Sequence, residues 1–122
     1  MVKKILIIED EKDIMTLAAA RLKLAGYDVT EAYDAEFALE ELKKNSFDLI
    51  LLDLFLPKMQ GDEFCRMIRL KEKLKDVPVI VFTASSASTM SHDFLSAMGA
   101  NDCIFKPYEP QELLDKISKF IS

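Results

Sequence analysis

The chain is poor in the residues that most often carry metal or nucleophile chemistry: among its 122 residues are one histidine and two cysteines. His92 closes the polar stretch SSASTMSH and is read as a solvated surface residue rather than a metal ligand or catalytic base. Cys65 and Cys103 have no metal-like spacing and read as reduced, buried thiols rather than a disulfide. Long apolar runs are missing too, and none approaches the roughly 20 residues needed to span a bilayer. The start, MVKKILIIEDE, sets two lysines before apolar residues, but the run ends at Glu9, too short for the core of a signal peptide. Positive charge is in deficit, with 16 Lys and Arg against 21 Asp and Glu and a net charge of −5. Phosphate backbones require the opposite field, so nucleic acid is not expected as a direct ligand. No internal repeat, linker or low-complexity tract divides the chain. One acidic, cytoplasmic domain over residues 1–122, without membrane insertion, is the expectation.

What is present is a core. Half the residues are hydrophobic and 30% are charged, a globular balance. Five apolar, β-rich runs occupy residues 4–8, 27–31, 48–52, 77–82 and 102–105. Helical spacing separates them. Ile14, Leu17, Ala18, Leu22 and Ala25 form the first pattern, which Gly26 stops as a C-terminal cap. Asp34 is the N-cap of a second, carrying Ala35, Ala38, Leu39 and Leu42. Phe64, Met67 and Ile68 mark a third after Gly61. A serine-rich fourth helix is read over residues 88–98, ended by Gly99, and a fifth follows Glu109-Pro110 with Leu113, Leu114, Ile117, Phe120 and Ile121. Strands alternating with helices predict an α/β fold with a parallel sheet covered on both faces. Such sheets place their chemistry beyond the carboxyl ends of the strands.

The stretch SFDLILLDLFLPKMQG sharpens that rule, because it sets a carboxylate, Asp53, at the end of a nearly continuous apolar strand. An unpaired carboxylate is costly to bury. The first strand ends in Glu9, Asp10 and Glu11, the fourth in Thr83 and the fifth in Lys106-Pro107. If these strands share one sheet edge, the groups converge. Glu9, Asp10 and Asp53 would then need a cation, and an all-oxygen donor set suits a hard divalent ion, Mg²⁺ first. With Lys106 as a positive charge and Thr83 as a hydroxyl donor, the set suits a phosphoryl group, and Asp53 is its nucleophile. Each part also has a plainer reading: EDE as helix-capping and dipole chemistry, Thr83 as a turn residue, Lys106 as a solvated charge.

On these segments the sequence resembles the receiver domain of bacterial two-component response regulators, a likeness that covers the whole chain. The resemblance implies a flavodoxin-like, doubly wound (βα)5 fold with strand order 2-1-3-4-5. ILIIEDE resembles the family's acidic pair, which gives Glu9 and Asp10 the metal-site role. LILLDLFLPKMQG resembles its phosphoacceptor segment, which makes Asp53 the phosphorylated residue and the backbone carbonyl of Phe55 a further metal ligand. VPVIVFTA places Thr83 as the switch hydroxyl, and GANDCIFKPY places Lys106 as the phosphate-contacting lysine before a cis peptide. The resemblance also implies a phosphorylated switch rather than a turnover enzyme. A sensor histidine kinase or phosphotransfer protein would be the donor, and an effector protein would read the face of the fourth helix, fifth strand and fifth helix. Two departures stand out: Cys103 occupies the position of the family's switch aromatic, and the residue two past the acceptor is the large Phe55, with Ser85 expected on the opposite flank of the phosphoryl group. The chain reads equally as a stand-alone receiver or as a domain of a longer protein. Two other functions fit parts of the pattern. One is a haloacid dehalogenase-type phosphatase, which would need a second Asp where Phe55 stands. The other is a pseudo-receiver that binds partners without taking phosphate.

Overall fold

The computed structural model describes residues 2–84 and 91–121. The expected start of the fourth helix at residue 88 and the flanking role of Ser85 lie outside the described residues. Five strands, β1 (Lys4–Ile8), β2 (Asp28–Ala32), β3 (Leu49–Leu52), β4 (Val79–Thr83) and β5 (Asp102–Phe105), alternate with α1 (Lys12–Leu24), α2 (Ala35–Lys44), α3 (Gly61–Arg69), α4 (His92–Met98) and α5 (Pro110–Ser118). A one-turn 3-10 helix, Glu72–Leu74, follows α3. All strand pairs are parallel and the order is β2-β1-β3-β4-β5, as the resemblance implies. In this order β1 and β3 are neighbours whose crossovers run to opposite sides, which opens a crevice above their carboxyl ends.

The strands explain why the sheet is buried twice. On β1, Leu6 and Ile8 face α2, α3 and α4, whereas Ile5 and Ile7 face α1 and α5. The same alternation runs through Ile50 and Leu52 against Leu49 and Leu51, and through Val79 and Val81 against Ile80 and Phe82. Every residue of β3 and β4 is buried, so apolar side chains are needed on both faces.

Helix ends follow the sequence closely. Asp34 accepts a hydrogen bond from the Phe37 N–H at 2.8 Å, and Gly26, at φ 99°, turns the chain out of α1. Gly99, at φ 90°, does the same for α4, whose N-cap Ser91 accepts from the Phe94 N–H. The expected α1 stripe holds at Ala18 and Leu22, with Ile14 packed against the core, but not at its other two positions. The helix's buried stripe is Met15, Ala18, Ala19 and Leu22, while Leu17 and Ala25 are exposed. Both sets contain residues three and four apart, and it is packing against the sheet that selects the phase.

Candidate functional site

Each strand tip extends the sheet's hydrogen bonding by one residue. The Glu9 N–H donates to the Ala32 carbonyl at 3.0 Å, the Asp53 N–H to Ile8 at 3.0 Å, and the Lys106 N–H to Thr83 at 2.9 Å. The backbone under the site is therefore fixed by the sheet, not by a free loop. Lys106-Pro107 is cis, as the resemblance implies.

Among the described residues, the buried polar and charged ones are Glu9 (1% exposed), Asp53 (5%) and Thr83 (0%). All three stand at carboxyl ends of strands. The ammonium of Lys106 bonds Glu9 Oε1, stands 3.6 Å from Asp53 Oδ2 and lies 4.6 Å from the centre of the Phe82 ring. One cation thus serves two buried carboxylates, with an aromatic face beneath it. Backbone amides satisfy the remaining oxygens: Glu11 N–H donates to Glu9 Oε2 at 2.9 Å, and Phe55 N–H to Asp53 Oδ1 at 3.3 Å.

Asp10 is exposed, yet partial desolvation in the crevice pushes its carboxyl above the usual carboxylate value, and the adjoining Glu9 pushes it further. Acids this close repel unless a proton or cation intervenes. One carboxylate oxygen from each of Glu9, Asp10 and Asp53 lies within 4.8 Å of the other two. A donor set made only of oxygens, with a surplus of negative charge, fits a hard divalent cation.

Above these groups the crevice opens to about 650 Å³. Glu9, Asp10, Asp53 and Lys106 line it together with Ile14, Leu17 and Arg21 of α1, Phe55 and Ala84, and the segment around Tyr108 and Pro110. The expected site residues are thus brought together. Thr83 sits at the tip of β4 between Asp53 and Lys106 in the strand order. Cys103 is buried on β5 in the cluster beneath α2–α4, and Phe105 packs against that cluster. Burial raises the thiol pKa of Cys103.

One support of the site and one tie at the opposite edge of the sheet went unread in the sequence. Gly61 begins α3 so close to the loop leaving β3 that a Cβ there would stand 2.5 Å from the Asp53 carbonyl oxygen. Arg69 donates to the carbonyls of Gly99, Leu74 and Val77 and to the Asn101 side chain, tying α3, the start of β4 and the end of α4 together. The only sequence signal was the glycine at the start of α3; two of the arginine's partners, Gly99 and Asn101, lie 30 and 32 positions along the chain, beyond any local pattern.

A family model described as "Response regulator receiver domain" matches residues 5–118. The chain belongs to that family. Among curated relatives, it is 40% identical over 116 residues to "Response regulator ArlR" of Staphylococcus saprophyticus, a match covering 93% of this chain and 50% of that protein. It is 37% identical over 121 residues to "Alkaline phosphatase synthesis transcriptional regulatory protein PhoP" of Bacillus subtilis, covering 99% of this chain and 49% of that one. The chain spans about half the length of these relatives. Among solved structures, the chemotaxis response regulator CheY4 of Vibrio cholerae superposes with a TM-score of 0.92 at 29% identity, covering 99% of this chain and all of that one. Receiver domains are signalling domains, and this chain is one of them.

Proposed function

We propose that residues 1–122 act as one phosphoacceptor switch, in which Asp53 takes a phosphoryl group from a histidine kinase or phosphotransfer protein. The observation that carries this reading is the burial of Glu9, Asp53 and Thr83 at neighbouring strand tips with Lys106 across them. Asp53 is the nucleophile: a carboxylate oxygen attacks phosphorus, the bond from phosphorus to the donor's imidazole nitrogen breaks, and the nitrogen keeps the electron pair. The rigid strand tip holds that carboxylate in place, so little orientation remains to be lost at the moment of reaction. Lys106 meets the charge of the incoming phosphoryl oxygens, and the hydroxyl of Thr83 donates to one of them. A Mg²⁺ held by Glu9, Asp10, Asp53 and the Phe55 carbonyl would offset phosphoryl charge and the repulsion among the acids.

The effector is a protein that reads the face of α4, β5 and α5. The bond between the Lys106 N–H and the Thr83 carbonyl supports this, since it links the two strand tips beside that face. The expected backbone movement over residues 84–88 falls, after Ala84, outside the described residues. Among the described residues no helix is long and apolar enough to cross a membrane, and the proposed setting is the cytoplasm.

Mass spectrometry of the chain treated with acetyl phosphate and Mg²⁺ tests the reading. One added phosphoryl group, absent from Asp53→Asn and without the metal, is expected. A label that survives Asp53→Asn overturns the assignment, and no label in either protein favours the pseudo-receiver. Repeated turnover of a simple phosphomonoester would favour the phosphatase.

A further inference from the structure

The crevice over the strand tips is larger than the chemistry at its floor requires. It encloses about 650 Å³, and a phosphoryl group, an ion and a few waters fill only part of that, a water taking about 30 Å³. Mostly apolar groups bound the remainder: Ile14 and Leu17 from α1, Tyr108 and Pro110 at the entry to α5, and Phe55 two residues past Asp53, with the charged Glu11 and Arg21 also on the lining. Leu17 is 65% exposed and Phe55 58%, so core burial explains neither. The phase of α1 turns Met15, Ala18, Ala19 and Leu22 inward and leaves Leu17 on the crevice wall. A pocket of this size with largely apolar walls and a few converging polar groups suits a small organic ligand, and here the polar groups on the floor are those of the proposed acceptor site.

Building on the phosphoacceptor reading above, we infer that the site discriminates among small-molecule phosphodonors by their leaving groups and favours aromatic acyl phosphates over acetyl phosphate. The phosphoryl end is placed by Lys106 and the acids on the floor. The acyl end, pointing away from Asp53 in an in-line displacement, then meets the wall formed by Leu17, Ile14 and Tyr108. The Asp53 carboxylate forms the new bond to phosphorus, the bond from phosphorus to the acyl oxygen breaks, and the organic carboxylate departs with the electron pair. No proton or redox partner is needed, and total charge is the same on both sides. A phenyl ring would leave water for the wall as the donor binds, while a methyl group has little surface to remove. Leu17 is the specificity-determining residue of that wall.

The 122-residue chain, given benzoyl phosphate or acetyl phosphate at fixed Mg²⁺, provides the test. Formation of the Asp53 phosphoryl adduct is followed by mass spectrometry, and each rate is corrected for that donor's spontaneous hydrolysis in the same buffer. The corrected preference for benzoyl phosphate is expected to be about tenfold, at the low end of what an apolar pocket yields. Leu17→Ser should bring it toward one, whereas Leu24→Ser, at an exposed α1 position outside the crevice, should leave it unchanged. Labelling by both donors with a ratio near one, or a preference that survives Leu17→Ser, overturns the inference while leaving the phosphoacceptor reading intact. Labelling by neither donor overturns that reading, and this inference with it.

Discussion

The first residue of α3, Gly61, packs directly on the backbone of Asp53: its N–H donates to the Leu54 carbonyl at 2.8 Å, and its α-carbon has no space for a side chain on that side. The loop from Asp53 to α3 is thereby closed on itself. Within it, Lys58 at φ 70° and a bond from the Met59 N–H to the Pro57 carbonyl at 2.8 Å complete a tight three-residue turn.

Gly61→Ala should therefore act on both stability and the site. A methyl group 2.5 Å from the Asp53 carbonyl oxygen forces backbone to move, and overpacking of this kind costs about 2 kcal/mol. Urea denaturation is expected to show that loss, accompanied by slower phosphoryl uptake at Asp53. Unchanged stability would mean that the loop yields freely.

A divalent cation should stabilise the fold. At 100-fold excess over its dissociation constant, the gain is about 2.7 kcal/mol. The sign with pH follows from Asp10, whose carboxyl pKa is raised by desolvation and by Glu9. Without the ion, a raised carboxyl favours the folded state below its unfolded value, and that contribution is lost as pH rises through the folded one. Ion binding needs the ionised form, so the melting-temperature increase given by Mg²⁺ should shrink as pH falls through Asp10's raised pKa. Melts of wild type and of the Asp10→Asn, Asp53→Asn double variant check this; an equal increase in both places the ion elsewhere.

Loss of the phosphoryl group should depend on Phe55. Its ring lines the crevice beside the acceptor, and a phenyl group can neither orient nor deprotonate an attacking water. Phe55→Ala and Phe55→Asn are each expected to lose phosphate about tenfold faster, equivalent to roughly 1.4 kcal/mol of barrier. The decay of labelled protein at fixed Mg²⁺ is the measurement, and equal or slower decay removes the shielding role.

Arg69→Ala should be among the more destabilising surface changes, by about 3 kcal/mol, because three backbone carbonyls and the Asn101 side chain lose a charged donor. Arg69→Lys should recover only part of it, since an ammonium cannot reproduce the guanidinium fork. Amide exchange is expected to quicken at the end of α4, around Gly99. Exchange that changes only in α2 would count against the tie.

Legibility in the sequence followed the range of the forces involved. β1 and β5 were read to the residue, because their apolar runs end sharply at Glu9 and Lys106. β2, β3 and β4 shifted by one or two positions, where Tyr27, Asp48 and Val77 flank the strands without joining them. The caps at Asp34, Gly26 and Gly99 were readable because they act within a few residues. The phase of α1 was not, since two apolar sets compete and only the sheet decides between them. The candidate site residues stood out in the sequence as strand-tip exceptions to apolar runs. Convergence of Glu9, Asp53 and Lys106 needed the strand order, and the Arg69 tie needed partners up to 32 positions away.

The sheet's two-sided burial has a consequence for how any event at Asp53 can be felt elsewhere. With the side chains of β3 and β4 wholly enclosed, and apolar as far as Leu52 and Phe82, the middle of the molecule is an insulator. Among the described residues, it has no polar relay along which a new charge could be passed from one helical layer to the other. A change at the rim must travel around the rim, through the loops that leave the strand tips. The residues that choose partners are thereby free to differ while the interior stays the same.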